Sequence, residues 1–148
     1  MRKEVISRNY ENLLFNIDNL LEQGRRKVVK QVNGLIVNTY WNIGKQIVEF
    51  EQKGKIRAKY GKKLLERLSK DLGERHGKGF NLTNLKYMRQ FYIAYRKSHS
   101  LRDQLSWTHY RLLIKLDSEE KRSFYENECI KGSWSSRELE RQINSMLY

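Results

Sequence analysis

The chain has 148 residues, 39% of them hydrophobic and 32% charged, a balance typical of one folded domain rather than of a disordered chain. Its net charge of +13 favours a polyanionic partner over charge that serves solubility alone. The single cysteine, Cys129, excludes an internal disulfide and fits a cytoplasmic protein, and no apolar run is long enough to cross a bilayer.

The positive charge is distributed unevenly along the chain. Residues 61–97 carry 10 basic and 3 acidic side chains, a net charge of +7. Residues 1–60 have a net charge of +6, whereas residues 98–148 carry 8 of each sign and are neutral overall. The densest excess therefore lies in the middle of the chain, which favours that part as the contact with a polyanion.

The N-terminal region, residues 1–54, is predicted to be helical. Apolar residues recur at helical spacing over residues 13–21, and a second pattern with the same period covers residues 28–50. A glycine and a basic cluster lie between the two patterns. We expect a helical hairpin or a bent long helix that packs on the rest of the protein, with Gly34 and Gly44 admitting close helix packing.

The same region is a candidate for dimerisation. One heptad-spaced series in it is entirely aliphatic: Leu14, Leu21, Val28 and Leu35. The matching second seam contains Gly24 and Gln31, so the pattern does not predict a continuous coiled coil. A homodimer through the N-terminal helices is nevertheless an alternative role for residues 1–54.

Residues 55–148 are predicted to form a second helical region, which opens on a strongly basic segment. Residues 55–63 carry five positive charges and no acidic group. A solvated linker and a phosphate-contacting loop or helix start explain this composition equally well.

Residues 62–92 are predicted to form a helix, a glycine-rich turn and a second helix. Leucines at helical spacing mark the first helix until Gly73 and Gly77, and Asn81 suits the N-cap of the second helix. This order is typical of a helix-turn-helix, which places its second helix on nucleic acid. The second helix is expected to bury a stripe made of Leu85, Met88, Phe91, Tyr92 and Tyr95.

The opposite face of that helix and the basic residues before it are the candidate nucleic-acid contacts. Thr83 is expected near phosphates at the positive helix terminus, and Tyr87 is suited to stack on an unpaired base. The alternative is an ordinary solvated helix face. The predicted outer face comprises Thr83, Asn84, Lys86, Tyr87, Arg89 and Gln90. The predicted backbone contacts are Lys62, Lys63, Lys70, Arg75 and Lys78.

Three shorter helices are predicted to complete the chain. Ser106 suits the N-cap of the first, while Asp117 with Glu120, and Ser135 with Glu138, have the spacing of capping boxes for the other two. No strand pattern or hairpin turn signal is present, so the predicted fold class is all-α. Residues 55–148 are therefore predicted to form a multi-helix region with a helix-turn-helix-like core.

Catalytic and metal-binding chemistry is not predicted in this chain. Three histidines, His76, His99 and His109, stand apart without ligand spacing. Cys129 lies on an apolar stripe, which indicates a small core residue rather than a nucleophile. The tryptophans are expected to be core anchors whose indole N–H groups need partners: Trp41, Trp107 and Trp134.

Five phrases of the sequence, taken in order, resemble one known family. They are YWNIGKQIVEFEQ, YGKKLLERLSKDL, GFNLTNLKYMRQFYIAY, LSWTHYRLLIKL and SWSSRELERQINSMLY. Together they resemble the N-terminal domain of the YhcG family, bacterial proteins of the PD-(D/E)XK nuclease superfamily. The resemblance covers roughly residues 10–148. One departure is Asn81, where family members more often carry serine, and both residue types cap helices.

The resemblance implies an all-helical module that binds nucleic acid, DNA before RNA, and positions a separate nuclease domain. That nuclease domain is expected beyond Tyr148, so this chain itself is expected to be non-enzymatic. Mg²⁺ is implied only for the downstream domain, and no cofactor for these residues. A protein-interaction or dimerisation domain without nucleic-acid contact is the alternative function.

Overall fold

The computed structural model describes residues 2–53, 63–97 and 100–145, the side chains of residues 2–7 and 9 excepted. All regular elements in these ranges are helices, which confirms the all-α fold class. Gly54, most of the basic segment 55–63 including Lys62, and His99 lie outside the described residues. The helices are α1 (Arg2–Glu51), α2 (Lys63–His76), α3 (Leu82–Ala94), α4 (Trp107–Leu113), α5 (Glu119–Gly132) and α6 (Ser136–Asn144).

The N-terminal region is one continuous helix rather than a hairpin. α1 has 50 residues, which corresponds to a length of about 75 Å at the usual helical rise. Its last third joins the core, where Val37, Trp41, Ile47 and Val48 are buried. The large apolar residues between Tyr10 and Ile36 are exposed, so α1 is divided between a packed end and a projecting part.

α3 crosses the packed end of α1 at a glycine. A Cβ atom built on Gly44 would overlap the backbone carbonyl of Met88, whereas one built on Gly34 would meet nothing within 4 Å. The prediction of close packing is therefore confirmed at Gly44 and wrong at Gly34. Because Met88 and its neighbours Leu85 and Phe91 are fully buried, this crossing also confirms the inward stripe predicted for α3.

The core consists of two apolar clusters that meet at Trp107, which packs against both. The indole N–H of Trp41 donates to the Tyr95 carbonyl at 2.6 Å, and that of Trp107 donates to Asn84 Oδ1 at 3.2 Å. These contacts confirm both tryptophans as core anchors with satisfied indoles. Cys129 is also buried, and burial raises the pKa of its thiol to about 11, as expected for a core residue.

Most predicted helix starts are confirmed, with one correction. The side chains of Asn81, Ser106 and Ser135 cap α3, α4 and α6 by accepting from the backbone N–H three residues later. The predicted cap Asp117 of α5 is wrong by one residue. Ser118 has the extended backbone that an N-cap needs, and its hydroxyl accepts from the N–H of residue 121.

Candidate nucleic-acid interface

The predicted succession of helix, glycine turn and helix is present as α2, residues 77–81 and α3. Gly77 and Gly79 have φ angles of 80° and 109°, a left-handed backbone that glycine adopts readily. The predicted phosphate contacts along α2 and the turn that fall in the described ranges are all exposed: Lys63, Lys70, Arg75 and Lys78. Their exposure leaves them available to an anionic ligand, and their binding role stays a prediction.

Asn84 does not belong to the outward face predicted for α3. Its Nδ2 donates to the Gly79 carbonyl at 2.5 Å, and its Oδ1 accepts from the indole of Trp107 at 3.2 Å. One side chain therefore links the glycine turn to α4. The sequence pattern missed this role because both partners are set by the tertiary fold.

Two further residues of the predicted outward face hold α3 against its neighbours. Arg89 Nε lies 2.5 Å from Glu51 Oε1, which ties α3 to the end of α1. Gln90 Nε2 donates at 3.0 Å to the carbonyl of Ile114, the residue that ends α4. The residues of this face without such ties are the exposed Thr83 and Lys86 and the half-buried Tyr87.

Two cations, Arg111 of α4 and Lys115 just after it, lie over the ring of Tyr87. The Arg111 guanidinium carbon is 4.7 Å from the centre of the Tyr87 ring, and Lys115 Nζ is 5.3 Å from it. A hydrogen bond from Lys115, its charge and the charge of Arg111 lower the pKa of the Tyr87 phenol, against the effect of desolvation. The shift indicates a positive local potential.

We call Thr83, Lys86, Tyr87, Arg111 and Lys115 the α3–α4 cationic surface. Among the described residues, Arg111 and Lys115 form no ion pair, whereas Arg89 is paired with Glu51. Arg111 Nε is moreover buried without a hydrogen-bond partner there. The sequence prediction missed Arg111 and Lys115. Their only sequence signal was a spacing of four residues within WTHYRLLIKL.

In the described ranges no three residues among His, Cys, Asp and Glu are grouped so as to hold a metal ion. His109 uses both ring nitrogens, because Nδ1 accepts from the Ser106 N–H at 3.0 Å and Nε2 lies 2.9 Å from the Trp134 carbonyl. These partners place its proton on Nε2. In the part of the chain that the structure describes, none of the helices has the length and apolarity of a bilayer span.

Comparison with known proteins places this helical, cationic domain in a family. The chain belongs to the DUF1016 N-terminal domain family, whose model matches residues 16–148. It is 34% identical over 171 aligned positions to an Escherichia coli (strain K12) protein named "Putative nuclease YhcG". The alignment covers 94% of this chain and 46% of the relative, so the chain spans about half the length of the relative. These matches confirm the resemblance to the N-terminal domain of the YhcG family. No solved structure matches the chain.

Proposed function

We propose that this chain is a nucleic-acid-binding module, with DNA as the first candidate and RNA as the second. The observation that carries the proposal is the pair of cations, Arg111 and Lys115, held on Tyr87 without a protein carboxylate to neutralise them. Two adjacent uncompensated cations favour an anion, and a phosphate fits both the charge and the donor geometry of arginine. A net charge of +13 adds long-range attraction for a polyanion.

In this proposal the α3–α4 cationic surface contacts the phosphate backbone directly. Lys86 and Thr83 extend the surface along α3 from the Tyr87 side chain, since residues 83 and 87 are one helical turn apart. The exposed cations Lys63 and Lys70 lie on one face of α2, seven residues apart, and supply a second, weaker positive field. Phosphate contacts of this kind position nucleic acid without reading its sequence.

We further propose that the module positions a nuclease domain located elsewhere in the full protein, of the PD-(D/E)XK superfamily and dependent on Mg²⁺. The support is the name of the Escherichia coli relative and its greater length, of which this chain matches 46%. A cytoplasmic location, where nucleic acid is accessible, belongs to the same proposal and is supported by the single buried thiol, Cys129.

The test is nucleic-acid binding by paired charge reversals. Lys86→Glu with Lys115→Glu should weaken binding of labelled duplex DNA by at least about tenfold, because each lost phosphate contact also removes a counterion-release contribution. The slope of log affinity against log salt should become shallower by about 2. Fluorescence polarisation at several salt concentrations measures both quantities, with duplex, branched and single-stranded DNA and RNA compared side by side.

The matched control is Lys131→Glu with Arg137→Glu, which changes the net charge equally at exposed positions of α5 and α6. Equal losses in the two double variants would mean that net charge alone attracts the polyanion. A third pair, Lys63→Glu with Lys70→Glu, tests the α2 face. If only that pair weakens binding, the α3–α4 cationic surface is the wrong site.

A second candidate function is protein interaction through the projecting part of α1. The observation that favours it is a long series of large apolar side chains exposed along this helix. Exposed apolar surface of this extent is typical of a protein interface. In this reading the module assembles or positions the nuclease through α1, and nucleic-acid contact is not required.

A further inference from the structure

The projecting part of α1, residues 10–36, is called the arm here. The exposed fraction of Leu21 is 68%, and that of Leu35 is also 68%, whereas Val37 is only 3% exposed. Residues 35 and 37 differ by about 200° around a helix, so the apolar surface of the arm faces away from the core. Against the body, Glu22, Arg25 and Arg26 line a cleft that the arm shares with residues 103–106, and Arg25 lies between this cleft and the apolar surface.

Seven exposed, large apolar residues of the arm form one straight stripe together with a glycine. Successive members are three or four residues apart, and the 25 residues from first to last span seven turns, close to the ordinary helical period of about 3.6. The stripe therefore stays on one side of a straight helix along the whole arm. Its members are Tyr10, Leu14, Ile17, Leu21, Gly24, Val28, Val32 and Leu35.

The charges of the arm are segregated along its length. Among residues 10–23 the charged side chains are all acidic, and among residues 24–36 they are all basic. Glu22 is paired within the chain, 3.6 Å from Arg26. Asp18 and Arg25 border the stripe on the same side, seven residues apart, and neither forms an ion pair among the described residues. The arm thus presents an acidic half and a basic half beside a continuous apolar stripe.

We propose that the arm binds the arm of a second copy of this chain in antiparallel orientation, an inference that rests on the proposed protein-interaction role of α1. With the twofold axis between residues 22 and 23, Leu21 of each copy packs on Gly24 of the other, and Ile17 packs on Val28. Gly24 has open space around its Cα, which the larger leucine fills. Asp18 then lies beside Arg25 of the second copy, and twofold symmetry makes this pair occur twice.

The charge pattern favours a second copy of the chain as the partner and an antiparallel orientation of the two arms. An antiparallel pair sets the acidic half of one arm against the basic half of the other, so the arm is complementary to itself. A parallel pair would set the acidic halves of the two arms side by side, and likewise the two basic halves, and like charges repel. The arm is also long enough to support a pair, since helices shorter than about 12–15 residues are marginal on their own.

The first test is the mass in solution by light scattering over a range of protein concentrations. The parent chain should show twice its 17.9 kDa, whereas Leu21→Ser should shift the dimer toward monomer by at least about tenfold in dissociation constant. The matched control is Phe15→Ser, because Phe15 is 64% exposed but lies off the stripe. It should leave the dimer intact. A monomeric parent, or a dimer indifferent to Leu21→Ser, overturns the proposal.

The second test addresses the antiparallel register. Asp18→Arg and Arg25→Asp should each weaken the dimer, and the double variant should restore it, because the opposite charges still meet. Asn12 faces away from the stripe, so spin labels on Asn12→Cys, in a Cys129→Ser background, should be about 40 Å apart in an antiparallel pair and about 25 Å apart in a parallel one. Failure of the rescue, or the short distance, contradicts the register.

These results are separable from the nucleic-acid proposal. Lys86→Glu with Lys115→Glu, which reverses two of the three positive charges of the α3–α4 cationic surface, should leave the dimer mass unchanged because those residues lie off the arm. Dimerisation with loss of binding in this variant supports both proposals. A dimeric parent that binds no nucleic acid would support the arm pairing and overturn only the nucleic-acid role.

Discussion

The arm and the packed end of α1 belong to one uninterrupted helix, yet their surroundings are opposite. In the arm, Leu20 and Leu21 are more than 60% exposed, whereas Ile47 and Val48 in the packed end are each only 4% exposed. Helical propensity is similar in both parts, since both contain leucine, valine and isoleucine at helical spacing. What differs is the presence of α3 across residue 44. The body therefore derives its stability from contacts within the chain, and the arm has apolar surface left over for contacts with another.

The largest expected effect separates the two regions with one substitution. Phe91→Ala should lower the free energy of unfolding by about 3–5 kcal/mol, because it removes a fully buried ring from the core. Phe15→Ala, in the arm and 64% exposed, should change it by less than about 0.5 kcal/mol. Urea denaturation measures both. Comparable losses would show that the arm is packed as tightly as the body.

Two glycines of α1 provide the next comparison. Gly44→Ala should cost about 1–3 kcal/mol, since the added methyl group would force α1 and α3 apart at the Met88 carbonyl. Gly34→Ala should instead stabilise the protein by about 0.5–1 kcal/mol, because alanine favours a helix and finds open space there. Thermal unfolding of the two variants checks the opposite signs. The same sign in both would place the crossing elsewhere.

Asn84 distinguishes a structural residue from a ligand-binding one. Asn84→Ala should destabilise the domain by about 1–3 kcal/mol, because the Trp107 indole and the Gly79 carbonyl lose their partner. At temperatures where the variant is folded, its affinity for DNA should match the parent. Thr83→Ala, at an exposed position one residue away, should leave stability nearly unchanged. Reduced DNA affinity in a fully folded Asn84 variant would show that Asn84 also contributes to DNA binding.

The smallest effect concerns a buried carboxyl group of the body. Burial raises the pKa of Glu126 above its ordinary value of 4.5, while Arg102 and a hydrogen bond from Tyr95 oppose the shift. The folded state therefore holds this proton more tightly than the unfolded chain, and stability falls as pH rises from about 4.5 through the raised pKa.

Glu126→Gln cannot titrate, so its unfolding free energy should decline less over that pH interval. At pH 7 the variant should therefore be more stable than the parent. Melting temperatures recorded from pH 4 to pH 8 test the slope. A parent profile that rises across this interval, or identical profiles for both proteins, would contradict the burial of an ionised Glu126.

The helices and most of their starts could be predicted because they depend on nearby residues. A serine or asparagine three residues before a free backbone N–H can cap a helix whatever the rest of the fold is, as Asn81 and Ser106 do. The inward stripe of α3 follows from helical periodicity in the same way. The error at Asp117 is of this local kind, because Ser118 beside it is an equally good cap.

The candidate site was predicted less well, since its selection depends on distant partners. The outer face of α3 was identified as polar, but Asn84, Arg89 and Gln90 are engaged by Trp107, Glu51 and Ile114, which are 23 or more residues away in sequence. Arg111 and Lys115 join Tyr87 for the same reason. Periodicity tells which residues share a face and does not tell what covers that face.

The sequence by itself determined the all-α class, the succession of α2, a glycine turn and α3, and the excess of positive charge, because composition and short-range hydrogen bonding suffice for these. Only the tertiary structure decided which cations stay uncompensated and how much of α1 is left uncovered. Both outcomes depend on which helices pack against each other. At the crossing of α1 and α3 the backbones lie so close that a side chain at Gly44 would overlap the other helix.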